Sequence, residues 1–152
     1  MKRNIFLAIA LVFGMALIGC GNSVDSRLNG TWESEFGIRI TCDNGNFDYS
    51  YKDYNSDTYI SFMKGTYTTN DDKIFTGKPT HAVRSYGFEQ DRKLLSKEEF
   101  EADLKANPGR DSELEILFSD WIIHYSIEDG VLFGSFFGKE GIRPYAEKLT
   151  KQ

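Results

Sequence analysis

Cysteine is nearly absent from this chain. Only Cys20 and Cys42 occur among its 152 residues. Histidine is equally scarce, and neither His81 nor His124 has a Cys, His or carboxylate companion at metal-ligand spacing. No zinc motif, phosphate-binding glycine loop or nucleophile elbow is present. There is no internal repeat and no low-complexity tract. Positive charge is in the minority, 18 basic residues against 23 acidic ones. That balance argues against nucleic acid as a partner, and against anionic lipid headgroups as the main one. No second apolar run of membrane-spanning length follows the first.

That first run is informative. Met1, Lys2 and Arg3 precede an apolar stretch from Ile5 to Ile18. This is the charged-then-apolar shape of a secretory signal, shorter than the roughly 20 residues of a spanning helix. Gly19 and Cys20 close it. Leu17-Ile18-Gly19-Cys20 resembles the bacterial lipobox. The resemblance implies a diacylglycerol on the Cys20 thiol, cleavage before Cys20, and acylation of the new amino end by a chain such as palmitate. Two or three acyl chains anchor a protein stably, where one does not. The chain is therefore expected in the cell envelope, held to a membrane through Cys20 without crossing it. Gly21 and Asn22 follow, with no aspartate beside the cysteine. This is similar to the enterobacterial pattern for outer-membrane delivery, so the outer membrane is expected ahead of the inner.

Three segments follow: a signal peptide (1–19), a small, polar lipidated tether (20–29) and one domain (30–152). Lys2 and Arg3 leave with the signal, moving the formal charge from −5 to −7. With Cys20 blocked, Cys42 has no disulfide partner, so core packing must hold the domain. Twelve Phe, eight Tyr and two Trp supply the bulk.

From Gly30 the pattern is mainly β. Ile38, Ile40 and Cys42 alternate with Arg39 and Thr41, and Phe47, Tyr49 and Tyr51 alternate with Asp48, Ser50 and Lys52. "DNGN" (43–46) lies between the two runs and supplies the positive φ of a tight turn, so 38–52 reads as a hairpin. Further short strands are expected at 58–63, 65–69, 73–77, 121–127, 131–137 and 142–149. Turns are expected at 54–57, 70–72, 128–130 and 138–141. Residues 78–95 show no clear period and read as a long loop or an irregular edge strand. One helix interrupts the series at 96–109. Ser96 and Glu99 form a capping box, Phe100 and Leu104 share a face, and Asn107-Pro108-Gly109 ends it. The expected fold is a small antiparallel meander β-barrel with one inserted helix.

Gly30-Thr31-Trp32 opens the first strand of the domain. A Gly-x-Trp there resembles the lipocalins and lipocalin-like bacterial lipoproteins. The resemblance implies that Trp32 closes the barrel base beneath a cation from a late strand, with Arg143 as the candidate. It also implies a cup for a small apolar ligand. Aromatic strand residues would line such a cup: Phe47, Tyr49, Tyr51, Phe62, Tyr67 and Tyr125, with Trp121, Phe133 and Phe136 as further candidates. Period two alone does not separate a lined cup from a filled core. The helix also comes earlier than in that family.

Other constellations are weaker. Asp53-x-Asn55-x-Asp57 begins like a calcium loop, but Thr58 takes the glycine position and Lys64 the place of the bidentate glutamate. A Cys42–His pair would be a nucleophilic arrangement, yet Cys42 holds an apolar strand position where cysteine packs. Glu33 and Glu35, Asp71 and Asp72, and Glu98 and Glu99 are pairs with no apolar setting to single them out. No enzyme, metal or cofactor is called for. The leading expectation is a membrane-anchored module for a small apolar ligand. The alternative is a solid β scaffold that presents loops, residues 78–95 and the helix after them, to an envelope or extracellular protein. An envelope hydrolase comes third, for want of a nucleophile and base.

Overall fold

The computed structural model describes residues 23–53, 55–84, 93–106, 111–134 and 147–152. The signal segment 1–19, Cys20, Phe136, Arg143 and the expected turn at 138–141 lie outside them. The elements in order are β1 (Gly30–Ser34), β2 (Ile38–Asp43), β3 (Asn46–Lys52), β4 (Tyr59–Thr69), β5 (Ile74–Val83), β6 (Leu94–Ser96), α1 (Lys97–Ala106), α2 (Asp111–Phe118), β7 (Trp121–Glu128), β8 (Val131–Gly134) and β9 (Glu147–Lys151).

Every pairing is antiparallel. β1 through β5 run as a meander, β7, β8 and β9 continue it, and β9 returns to β1. The result is a closed eight-strand barrel. β6 is an addition. β5 pairs with β7 through Ile74–Gly77 and with β6 through His81–Val83. The helices follow β6 and pack on β5, which places Phe100, Leu104 and Leu117 in the barrel's own apolar cluster.

The hairpin at 38–52 forms with Asp43 opposite Asn46. Asn44 (φ 45°) and Gly45 (φ 88°) are both left-handed, as a two-residue hairpin turn requires. The two strands expected at 58–63 and 65–69 are one. β4 runs through Lys64 and absorbs register shifts opposite Tyr49/Ser50 and at Lys64/Gly65. The second shift sets Gly65 opposite Pro79. A proline has no N–H for the ladder and is tolerated where pairing is irregular. β5 therefore continues through 78–83, where no period was legible. The capping box forms as expected: Glu99 N–H donates to Ser96 Oγ (3.2 Å) and Ser96 N–H to Glu99 Oε2 (2.9 Å). The second helix, α2, was not anticipated.

The end of the barrel where β1 begins is closed. Ser26–Leu28 forms a 3-10 turn whose Leu28 is fully buried. The Trp32 indole N–H donates to the Leu28 carbonyl at 2.7 Å, fastening the turn beneath the barrel. The segment before it is docked too. Thr69 N–H donates to the Ser23 carbonyl (2.6 Å), and Asp25 N–H to Thr69 Oγ1 (2.8 Å). Residues 23–29, read from sequence as part of the tether, lie against the barrel end. The Asp25 carboxylate accepts from Arg27 Nε (2.9 Å) and the Tyr125 hydroxyl (2.9 Å).

These bonds, those from Arg27 foremost, hold the Asp25 carboxyl far below the usual carboxylate range despite partial burial. A depressed folded pKa contributes stability that is complete above the unfolded value of about 3.9 and is lost as pH falls toward the folded one. Asp25→Asn is therefore expected to lower the urea midpoint at pH 7. The gap to wild type should narrow steadily between pH 4 and pH 2, followed by circular dichroism.

A candidate functional site at the far rim

Alternation along the strands decides what points inward. Phe47 and Tyr49 of β3, Met63 and Tyr67 of β4, Phe75 of β5, and Ile123 and Tyr125 of β7 are all buried. They pack on one another. Tyr67 and Phe75 stack with centroids 4.7 Å apart, and Phe47 meets Phe75 edge-on at 6.0 Å and Trp121 at 5.7 Å. Toward the far end Phe62 touches the rings of both Tyr49 and Tyr51, each at 6.4 Å. The six aromatic residues singled out from sequence thus share the barrel's apolar interior or its margin. Tyr51 and Phe62 are half-buried and the other four fully buried.

Glycine makes room for these rings. A Cβ on Gly77 would stand 2.8 Å from the Phe75 ring, and one on Gly65 would stand 2.7 Å from the Phe47 ring.

At the closed end, Gly30 (φ 123°) lies against Lys151, and the Lys151 ammonium stands 5.3 Å from the Trp32 ring centroid. Trp32 is 1 % exposed. The cation described over the tryptophan is Lys151, while Arg143 lies outside the described residues. Lys151 sits directly opposite Trp32 in the β1–β9 register. Continuing the last strand two residues past Leu149 would have brought it into view.

The far rim has different chemistry. Arg39 bonds the Glu33 carboxylate at 3.0 Å, and its guanidinium lies 3.3 Å over the Tyr59 ring. The Tyr59 hydroxyl donates to the other Glu33 oxygen. That bond is the first cause holding the Glu33 carboxyl below its usual range, with Arg39 adding to it. Burial, then the nearby carboxylate, raises the Tyr59 phenol. Lys52 pairs with Asp57 at 2.9 Å across the β3–β4 turn. Around these groups is a shallow depression of about 940 Å³. Glu33, Glu35, Asp53 and Asp57 give it an acidic lining, and Phe36, Ile38, Tyr51 and Tyr59 an apolar one. Phe36, at the tip of the β1–β2 turn, is 81 % exposed. An exposed phenylalanine on a turn was not singled out from sequence, because a lone apolar residue between strands has no periodicity to mark it.

The remaining sequence candidates resolve simply. Asp53 accepts from Asn55 N–H (3.1 Å) and Ser56 Oγ (2.9 Å), so the calcium-like string is a turn closed on itself. Among the described residues no group of three or more His, Cys, Asp or Glu is placed to hold a metal. His124 is exposed on β7, and His81 meets Thr80 at 3.0 Å. Cys42 is buried, and that burial pushes its thiol up to about 12. The thiolate is the reactive form, so Cys42 packs rather than attacks. Native protein at pH 8 is expected to leave Cys42 unlabelled by a maleimide over a period that labels it fully in 6 M urea. Rapid native labelling, read by mass spectrometry, would show that the barrel opens.

No family model, curated protein or solved structure matches this chain.

Proposed function

We propose that this protein is a lipid-anchored envelope scaffold that recognises a protein partner through its far rim. The observation that carries the reading is the division of labour between the barrel's two kinds of surface. Inside, the aromatic side chains are in contact with one another. At the rim, an acidic and aromatic depression stands beside an exposed phenylalanine. Contiguous apolar surface commonly marks interaction sites, and Phe36 shares one depression with Ile38, Tyr51 and Tyr59, on loops and strand ends held by a rigid frame. The lipobox resemblance at Cys20 supplies the anchor, with the outer membrane as its expected destination.

The rim offers binding chemistry rather than turnover chemistry. Among the described residues its serines, Ser34 and Ser56, have no histidine within the same depression, and its Glu33 carboxylate is held ionised by two donors.

Photo-crosslinking in the native cell tests this. A photoreactive amino acid at Phe36 should trap a discrete protein adduct, and one at Lys148, exposed on the β9 wall, should not. Equal labelling from both positions, or none from Phe36, would count against the rim.

A cup for a small apolar ligand is the second reading. It is favoured by the half-buried Tyr51 and Phe62, which meet edge-to-face at the margin of the interior.

A further inference from the structure

The closed end of the barrel carries a second consequence for the anchored protein. We infer that this end faces the bilayer headgroups at near-contact distance, and that the Phe36 rim points away from the membrane. The inference rests on lipidation at Cys20.

Cys20 and Ser23 are three residues apart. A chain spans at most about 3.5 Å per residue, so Ser23 lies within about 11 Å of the acylated residue. Ser23 is not free to swing. Its carbonyl accepts from both the backbone N–H and the hydroxyl of Thr69 (2.6 and 3.0 Å), and its own hydroxyl donates to the Thr69 carbonyl (3.3 Å). Two residues on, Asp25 ties the same segment to Thr69 and to Tyr125 on β7. Val24 lies over the β2–β3 turn, 3.3 Å from where a Cβ on Gly45 would stand. Leu28 and Trp32 then fix the chain beneath the barrel. The clip thus touches β1, β4, β7 and the β2–β3 turn together.

Ser23 meets Thr69 at the end of β4, and the turn to β5 follows at once. The other end of β4, at Tyr59, adjoins the rim depression. β4 is 11 residues long, so its two ends are about ten residue steps apart. At about 3.3 Å per residue and a barrel tilt near 40°, that is roughly 25 Å along the barrel axis. A clipped tether shorter than half this height cannot turn the barrel over, with the rim against the bilayer and the closed end away from it, without breaking the clip. The contact is imposed by tether length and needs no affinity of the closed end for lipid.

Energy transfer to the membrane surface reads the orientation. The lipidated full chain would be purified from membranes and reconstituted in phosphatidylcholine vesicles carrying a headgroup-labelled acceptor lipid. A donor would be attached at Asp72→Cys, in the turn after β4, or at Asp57→Cys, beside the rim. Both side chains are exposed, and the buried Cys42 stays unlabelled. Transfer from Asp72→Cys is expected to exceed transfer from Asp57→Cys several-fold. A twenty-residue glycine/serine insertion between Asn22 and Ser23 adds roughly 25 Å of flexible reach, and should abolish the difference.

Equal transfer from both donors in the uninserted chain, or more from Asp57→Cys, would overturn the orientation and leave the anchor standing. Purified chain that lacks the lipid mass at Cys20 would overturn the anchor and the orientation together.

Discussion

Gly65→Ala should cost about 3 kcal/mol or more, at the top of the range for overpacking a tightly packed site. The added methyl would stand 2.2 Å from the Lys78 carbonyl oxygen, 2.7 Å from the Phe47 ring and 2.8 Å from Pro79 Cα. Two of those three neighbours are backbone of the adjoining strand, so a rotamer change at Phe47 cannot relieve them. The strands would have to separate where β4 changes register against β5. Gly130→Ala is the control. Its Cβ meets nothing within 4 Å, and only its φ of 76° is unfavourable, which costs about 1–2 kcal/mol. Urea midpoints for the two variants should therefore differ clearly. A Gly65→Ala protein as stable as Gly130→Ala would mean that β4 and β5 are not packed so closely there.

Trp32→Ala should cost about 3–5 kcal/mol, the usual range for removing a buried tryptophan. The loss has separable parts. The indole fills the closed end at 1 % exposure, and its N–H is the donor to the Leu28 carbonyl. Trp32→Phe keeps an aromatic ring and removes the donor. It should cost about 1–3 kcal/mol, the penalty for leaving a buried polar group unsatisfied. Lys151→Ala removes the cation over the ring and should cost no more than about 1 kcal/mol, because the ammonium is exposed. Chemical denaturation orders the series. If Lys151→Ala were the most damaging, the closure would depend on the cation and not on the indole.

The barrel was legible where alternation was strict. Ile38–Cys42 and Phe47–Tyr51 face inward on every second residue, and Asn44-Gly45 fixes the turn between them, so register follows from the side chains alone. β4 and β5 were harder to read. Gly65 and Gly77 are inward positions with no side chain to mark them, and Pro79 suggests a break where an irregularity in the ladder in fact accommodates it. α1 announced itself through its capping box. α2 offered only Leu114, Leu117 and Phe118 at helical spacing within eight residues, too short a window for periodicity to stand out. The docking of Ser23–Asn29 had no local signal. It depends on Thr69 and Tyr125, 46 and 100 residues away from Ser23 and Asp25 respectively. The rim was hidden for the same reason, since Glu33, Arg39 and Tyr59 come from three different strands.

On the proposed reading, the barrel interior is occupied by its own side chains and recognition takes place outside it. Native mass spectrometry of the lipidated chain, extracted from its own membrane in mild detergent, tests this most directly. The predicted result is the mass of the chain plus its acyl groups, with nothing further lost on acid denaturation. A stoichiometric apolar molecule that survives extraction and leaves on denaturation would contradict the claim, and would make the barrel a carrier.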